Sequence, residues 1–130
     1  MKKLASLAAI LLLLTTAWAA DKNADQKARD QYAKQFALDV EHDGWQLTAA
    51  AMHPGCSTVL CFKRGNHDAL TLFWNGGTVD AVDRFMREEI EPRRAELRDL
   101  GFLQIDIVGV FTSQNYPDGV ARFPVKEKVQ

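Results

Sequence analysis

The chain has 130 residues, of which 47% are hydrophobic and 25% charged, the composition of an ordinary globular protein with room for one domain of typical size. Sixteen Lys and Arg stand against 17 Asp and Glu, a formal charge of -1, which argues against nucleic acid or an anionic membrane as the main partner, because both select a basic excess. With 8 Gly and 4 Pro in so apolar a chain, collagen-like, disordered and coiled-coil classes are excluded as well.

Lys2 and Lys3 precede an uncharged apolar run from Leu4 to Ala17, and the segment closes with Ala17-Trp18-Ala19. The run is shorter than the ~20 residues a spanning helix needs, and small side chains three and one residues before a cut are what signal peptidase accommodates. The spacing predicts a signal peptide over residues 1–19, cleaved after Ala19 or Ala20, and export to a bacterial periplasm or beyond. The first Cys is Cys56, far from the cut, so no lipid anchor is expected and the processed chain should be free of the membrane. Losing Lys2 and Lys3 with no acid leaves a mildly acidic body, read as a single domain over residues 20–125 with a frayed tail at 126–130.

In chain order, Ala28, Tyr32, Phe36 and Val40 recur every four residues between Asp21 and Asp43, with Ala33 and Ala37 beside them, which predicts an amphipathic helix ending near Glu41. His42-Asp43-Gly44 supplies a residue that tolerates positive φ just past that end. Trp45 to Met52 alternates as a strand, with Leu47, Ala49 and Ala51 on one face, and Thr58 to Lys63 reads as a second, joined through Pro54-Gly55 so that Leu47 lies across from Phe62. A third strand is expected from Ala69 to Trp74, broken by Asn75-Gly76-Gly77-Thr78.

Thr78 is a suitable cap for a helix beginning at Val79, whose apolar positions Val82, Met86, Ile90, Leu97 and Leu100 share a stripe, while the opposite face carries the charge as a solvated surface with Glu89/Arg93 among its i,i+4 pairs. Pro92 lacks the donor a helix interior requires and crowds the preceding turn, so a kink or break is expected near Glu91. Gly101 fits the position past the helix end and Phe102 the hydrophobic contact of a Schellman motif with Leu97. Leu103 to Thr112 is the strongest strand, apolar on both faces at Val108 and Val110, and Val120 to Phe123 adds an edge strand. The order α-β-β-β-α-β predicts an α+β fold, a two-layer sandwich with a largely antiparallel sheet and two helices on one face.

No stretch spells out a reaction. Cys56 and Cys61 are the only cysteines, and an exported pair is commonly bonded. An extended segment between them would hold the Cα atoms about 16 Å apart, whereas a disulfide needs less than about 7 Å. Either Ser57 to Leu60 folds into a loop and the bond forms, or the strand stands and the thiols stay apart. His42, His53 and His67, with Asp43 and Asp68 as neighbours, lack the spacings that present metal ligands together and read as turn residues. Ser57 and Ser113 lack the context of an activated nucleophile. The expectation is therefore no catalytic residue, metal or cofactor, and a protein partner as ligand. If one sheet face is free of helices, Val59, Val108 and Val110 would sit there, and Trp45 and Trp74 flank the strands, so these five are the expected interaction surface. Two alternatives remain open: a metal-binding protein or small enzyme built on the turn histidines, and a carrier enclosing a small ligand beneath Trp45 and Trp74.

Overall fold

Both helical segments stop at a glycine in the left-handed backbone conformation, which a residue without a side chain adopts at little cost. The computed structural model describes residues 25–55 and 67–126. The first helix, α1 (residues 25–41), ends with Gly44 N donating to Glu41 O and Trp45 N to Val40 O, Gly44 standing at φ 95. The second helical stretch ends the same way, Gly101 N donating to Arg98 O and Phe102 N to Leu97 O, with Gly101 at φ 91. These are the paired bonds of the Schellman motif, and Leu97 and Phe102, its hydrophobic contact, are both buried.

The strands are β1 (Leu47–Met52), β2 (Ala69–Gly77), β3 (Gln104–Val110) and β4 (Val120–Pro124), in the spatial order β1-β2-β3-β4. β1 and β2 are antiparallel, as are β3 and β4, while β2 and β3 run parallel. The helical strap between β2 and β3 provides the long crossover that a parallel pair requires. The class is the expected α+β, with a mixed sheet in which two of the three pairings are antiparallel. Within the described residues β1 pairs with β2, Leu47 opposite Trp74; the anticipated strand over residues 58–63 and its pairing with β1 lie outside them, as do Cys56, Val59, Cys61, the signal segment and residues 127–130.

The strap begins as α2 (Val79–Phe85), capped by the Thr78 hydroxyl accepting from Ala81 N, widens into a π turn over Met86–Ile90, tightens through a 3-10 turn over Glu91–Arg93 and resumes as α3 (Arg94–Asp99). This is the break Pro92 demands: a proline ring collides with the carbonyl four residues back, and the wider π turn moves that carbonyl aside without ending the strap. Arg94 then ties α3 to the end of β4, donating to the carbonyls of Pro124 and Val125.

Ala33, Phe36 and Val40 from α1, Val82, Phe85, Met86, Ile90 and Leu97 from the strap, and Ala51, Leu70, Leu72, Ile105, Ile107 and Ala121 from the sheet share one core. Alternation sets the sheet's contribution, since Ala51, Leu70 and Ile105 lie side by side across three strands, as do Ala49, Leu72, Ile107 and Ala121 across four. Val110 departs from this alternation. Gly109, at φ 92, inserts a bulge at which both Gly109 N and Val110 N donate to Gly119 O, and the extra residue turns Val110 into the core at 4% exposure rather than onto the opposite face. Val110 is therefore removed from the expected interaction surface. The partner strand is irregular at the same level, so β2 continues to Gly77 instead of breaking after Trp74.

Only glycine fits at 109, because a Cβ there would overlap the carbonyl oxygen of Trp74, whereas at Gly44 it would meet open space. Gly44→Ala is expected to cost about 1–2 kcal/mol for the left-handed backbone alone. Gly109→Ala should cost roughly 3 kcal/mol or more by urea unfolding. Equal losses would show that the close approach to Trp74 does not constrain the sheet.

Candidate functional site

The carboxyl ends of parallel strands are where open α/β sheets tend to place their sites, because the chain turns away there and leaves side chains facing outward. In this molecule that end gathers most of the partly exposed aromatic residues. Trp74 comes from β2, Phe111 follows β3, Tyr116 lies in the β3–β4 connection, and Trp45 arrives from α1 just before β1. Phe111 N donates to Gly77 O and closes the end of the sheet.

On the helix side, Trp45 and Trp74 stack with centroids 5.6 Å apart, and each meets Phe85 in an edge-to-face arrangement, at 5.0 and 5.2 Å. Such pairs contribute about 0.5–1.5 kcal/mol each beyond burial. Gly77 lies under the Trp74 ring, where a Cβ would overlap Cε3. The Arg84 guanidinium lies 4.7 Å from the Trp45 ring centroid, a cation–π contact on a mostly exposed side chain. Phe85 occupies the space beneath the two indoles. Two open grooves flank the pair, one of about 450 Å³ along Glu41, Gln46, Thr48 and Phe73, the other of about 320 Å³ along Gly44, Thr78 and Ala81. Among the described residues Trp74 Nε1 is buried without an acceptor, a cost of about 1–3 kcal/mol at the centre of the cluster.

On the face of the sheet away from the helices the side chains form three cross-strand rows. Met52, Ala69 and Gln104 make one row, and Ala50, Thr71, Asp106 and Arg122 the next. Met52, Ala69, Thr71 and Asp106 are buried. Asp106 accepts from Gly55 N at 3.3 Å and from Gln104 Nε2, which satisfies a carboxylate withdrawn from water. The third row, at the carboxyl end of β2 and β3, is Thr48, Phe73, Val108 and Val120. Phe73, Val108 and Val120 are only half-buried, and Phe111 beyond them is 63% exposed. Val108 thus stands on the open face as expected, with Phe73 and Val120 beside it in the row, an arrangement the residue pattern did not assemble.

The titratable groups fall into separate places. His42 is exposed after α1, while His53 and His67 are half-buried near the junction of β1 and β2, where Arg29 Nε donates to the His67 carbonyl. Asp68 stands beside His67, with its Oδ1 buried and unpartnered among the described residues. Among those residues no three His, Cys, Asp or Glu side chains converge on a common point. Burial raises the Tyr116 hydroxyl above its ordinary range, assisted by Asp83. The Arg122 guanidinium, 2.8 Å away, holds the exposed Asp118 carboxyl below its ordinary range.

Two charged groups expected at the surface are buried. Glu89, expected among the charges of the solvated face, is 3% exposed, since it lies four residues after Phe85 and three after Met86 on the buried side of the strap. Arg29 is 7% exposed and donates to the carbonyls of His67 and Leu100, bridging α1 to the segments that lead into β2 and β3. Comparison with protein-family models, curated proteins and solved structures returned no match. Among the described residues no helix is long and apolar enough to cross a membrane.

Phe85→Ala removes the ring on which both indoles rest. It is expected to lower stability by about 3–5 kcal/mol and to shift tryptophan emission to longer wavelength; an unchanged emission maximum would mean that the indoles do not depend on Phe85.

Proposed function

We propose that the chain is an exported, non-enzymatic protein that works by binding another protein, and that the partner docks on the half-open carboxyl end of the sheet. The observation that carries this reading is the half-buried row of Phe73, Val108 and Val120 on the side of the sheet opposite the helical layer, with the 63%-exposed Phe111 following at the end of β3. A contiguous apolar strip of this kind loses water when covered, and aromatic side chains concentrate at the centres of protein interfaces. Arg84 and Trp45 lie around the corner on the helix side and are residue types that commonly carry interface energy. Export is supported by Lys2-Lys3, the apolar run to Ala17 and the Ala17-Trp18-Ala19 junction.

The test uses the natural producer. The isolated protein should begin at Ala20 or Asp21 and fractionate with the cell envelope; recovery of intact Met1 with cytosolic markers would remove the export half of the proposal. Phe111→Asp, at an exposed position, should leave the thermal midpoint unchanged and weaken retention of the co-purifying partner about tenfold or more. A partner retained equally by this variant, or a strictly lone monomer in envelope extracts, contradicts the docking half.

A further inference from the structure

β4 closes the sheet on one side, and among the described residues no strand lies beyond it. Its bonds to β3 fix which backbone groups face outward. Gly119 O accepts from Gly109 N and Val110 N, and Val125 N donates to Leu103 O, so residues 119 and 125 turn their backbone groups toward β3. Successive residues of a strand alternate, so Ala121 and Phe123 face β3 as well, while Val120, Arg122 and Pro124 turn theirs outward. A row of outward N–H and C=O groups is a template for another strand.

Each of these three positions carries its own obstacle. At 120, the Asp118 carboxylate accepts from Val120 N at 3.2 Å through Oδ1, while its Oδ2 accepts from Arg122 Nη2 at 2.8 Å. At 122, the side chain is a guanidinium, 46% exposed, and a charge on an edge strand opposes a second strand laid alongside. At 124, proline has no N–H to give, and its carbonyl already accepts from Arg94 Nη1 at 2.8 Å. Arg94 is set for this contact, because Glu91 accepts from its Nε and Nη2 and directs Nη1 at the carbonyls of Pro124 and Val125. That leaves Arg122 as the residue of β4 still able both to give and to accept an outward backbone bond.

We propose that Asp118, Arg122, Pro124 and Arg94 guard the β4 edge against a second copy of this chain, which without them adds its own β4 in antiparallel register. A second copy is the occupant because the contact is self-complementary: a two-fold axis beside the strand sets the same outward groups of both copies against each other, so every bond is made twice. Three outward residues with free groups would propagate a ladder along the whole strand, and a single one cannot. The obstacles are complementary, since Asp118 occupies a donor, Pro124 lacks one and Arg94 occupies an acceptor. They act on the backbone edge of β4, not on the row of Phe73, Val108 and Val120, so the guard stands whether or not a partner docks on that row.

The test removes the obstacles at exposed positions of the full chain. Asp118→Ala releases Val120 N, Arg122→Thr removes the charge and Pro124→Thr supplies an N–H, combined in one variant. As its concentration is raised, this variant should double its sedimenting mass and slow the hydrogen exchange of the residue 122 amide about tenfold or more, whereas in the unaltered protein that exchange is independent of concentration. The pair Asp118→Ala and Pro124→Thr, which keeps Arg122, should behave the same way more weakly and carries the test if the triple variant does not fold. Arg122→Pro in place of Arg122→Thr takes away the outward donor at the centre of the strand and should restore the single chain. Adding Arg94→Ala should strengthen the association; an association left unchanged removes Arg94 from the guard. Variants that stay single chains at every concentration, a dimer that survives Arg122→Pro, or concentration-dependent protection of the Arg122 amide in the unaltered protein overturns the proposal.

Discussion

Phe85 is the ring on which distant parts of the chain converge. It meets Phe36 of α1 at 6.1 Å, Trp45 at the entry to β1 and Trp74 of β2, so one side chain from the strap joins the first helix to the two strands at that edge of the sheet. These elements are far apart in sequence and have few local reasons to assemble. Burial of the shared aromatic surface, at roughly 25 cal/mol per Å² of apolar area, is what offsets the entropy of closing the loops between them. The parallel pairing of β2 and β3 depends on the same ring, because the strap that carries Phe85 is the crossover joining those strands.

Two insertions in otherwise regular elements decide which side chains face where. The π turn at Met86–Ile90 and the bulge at Gly109 each add a residue to a repeating pattern, and each rotates the side chains beyond it. The second brings Val110 inside. Their causes differ: the π turn accommodates Pro92, whereas the bulge lets the β3 backbone pass close to the Trp74 carbonyl, where no Cβ fits. Neither is a flaw in the packing. Without the bulge Val110 would extend the open strip and leave the core short of a side chain at the level of Trp74.

Much of the fold is legible because it is locally encoded. The ends of both helical segments follow from Gly44 and Gly101, the break in the strap from Pro92, and β3 and β4 from alternation alone. The pairing of β1 along β2 and the parallel neighbours β2 and β3 are not legible, since strand partners are chosen by contacts distant in sequence. Asn75-Gly76-Gly77 reads as a breaker because glycines commonly end strands, yet here Gly77 is needed under the Trp74 ring inside an irregular strand end. Gly109 carries a usable signal, since an isolated glycine within a strand pattern marks a bulge. Of the expected surface, Val108 stands on the open face, Trp45 and Trp74 are half-buried on the helix side, and Val110 is interior. Glu89 and Arg29 sit at the spacing of the buried stripes, Glu89 four residues after Phe85 and Arg29 four and seven before Ala33 and Phe36, but the partners that satisfy Arg29, the carbonyls of His67 and Leu100, come from distant segments and are not legible.

The open face is divided in a way that bears on its use. Toward the amino ends of β2 and β3 it holds Met52, Ala69, Thr71 and Asp106, all withdrawn from solvent, with Asp106 satisfied by Gly55 and Gln104. Toward the carboxyl ends it holds the half-buried row of Phe73, Val108 and Val120, with Phe111 beyond. A sheet face that needed covering only for its own stability would have its largest apolar groups at the covered end. Here the covered end holds one large apolar side chain, Met52, beside Ala69, Thr71 and Asp106, while Phe73 stays half-buried and Phe111 exposed. Retaining two exposed or half-exposed Phe side chains weakens solubility without strengthening the fold, which is the imbalance that the proposed docking would relieve.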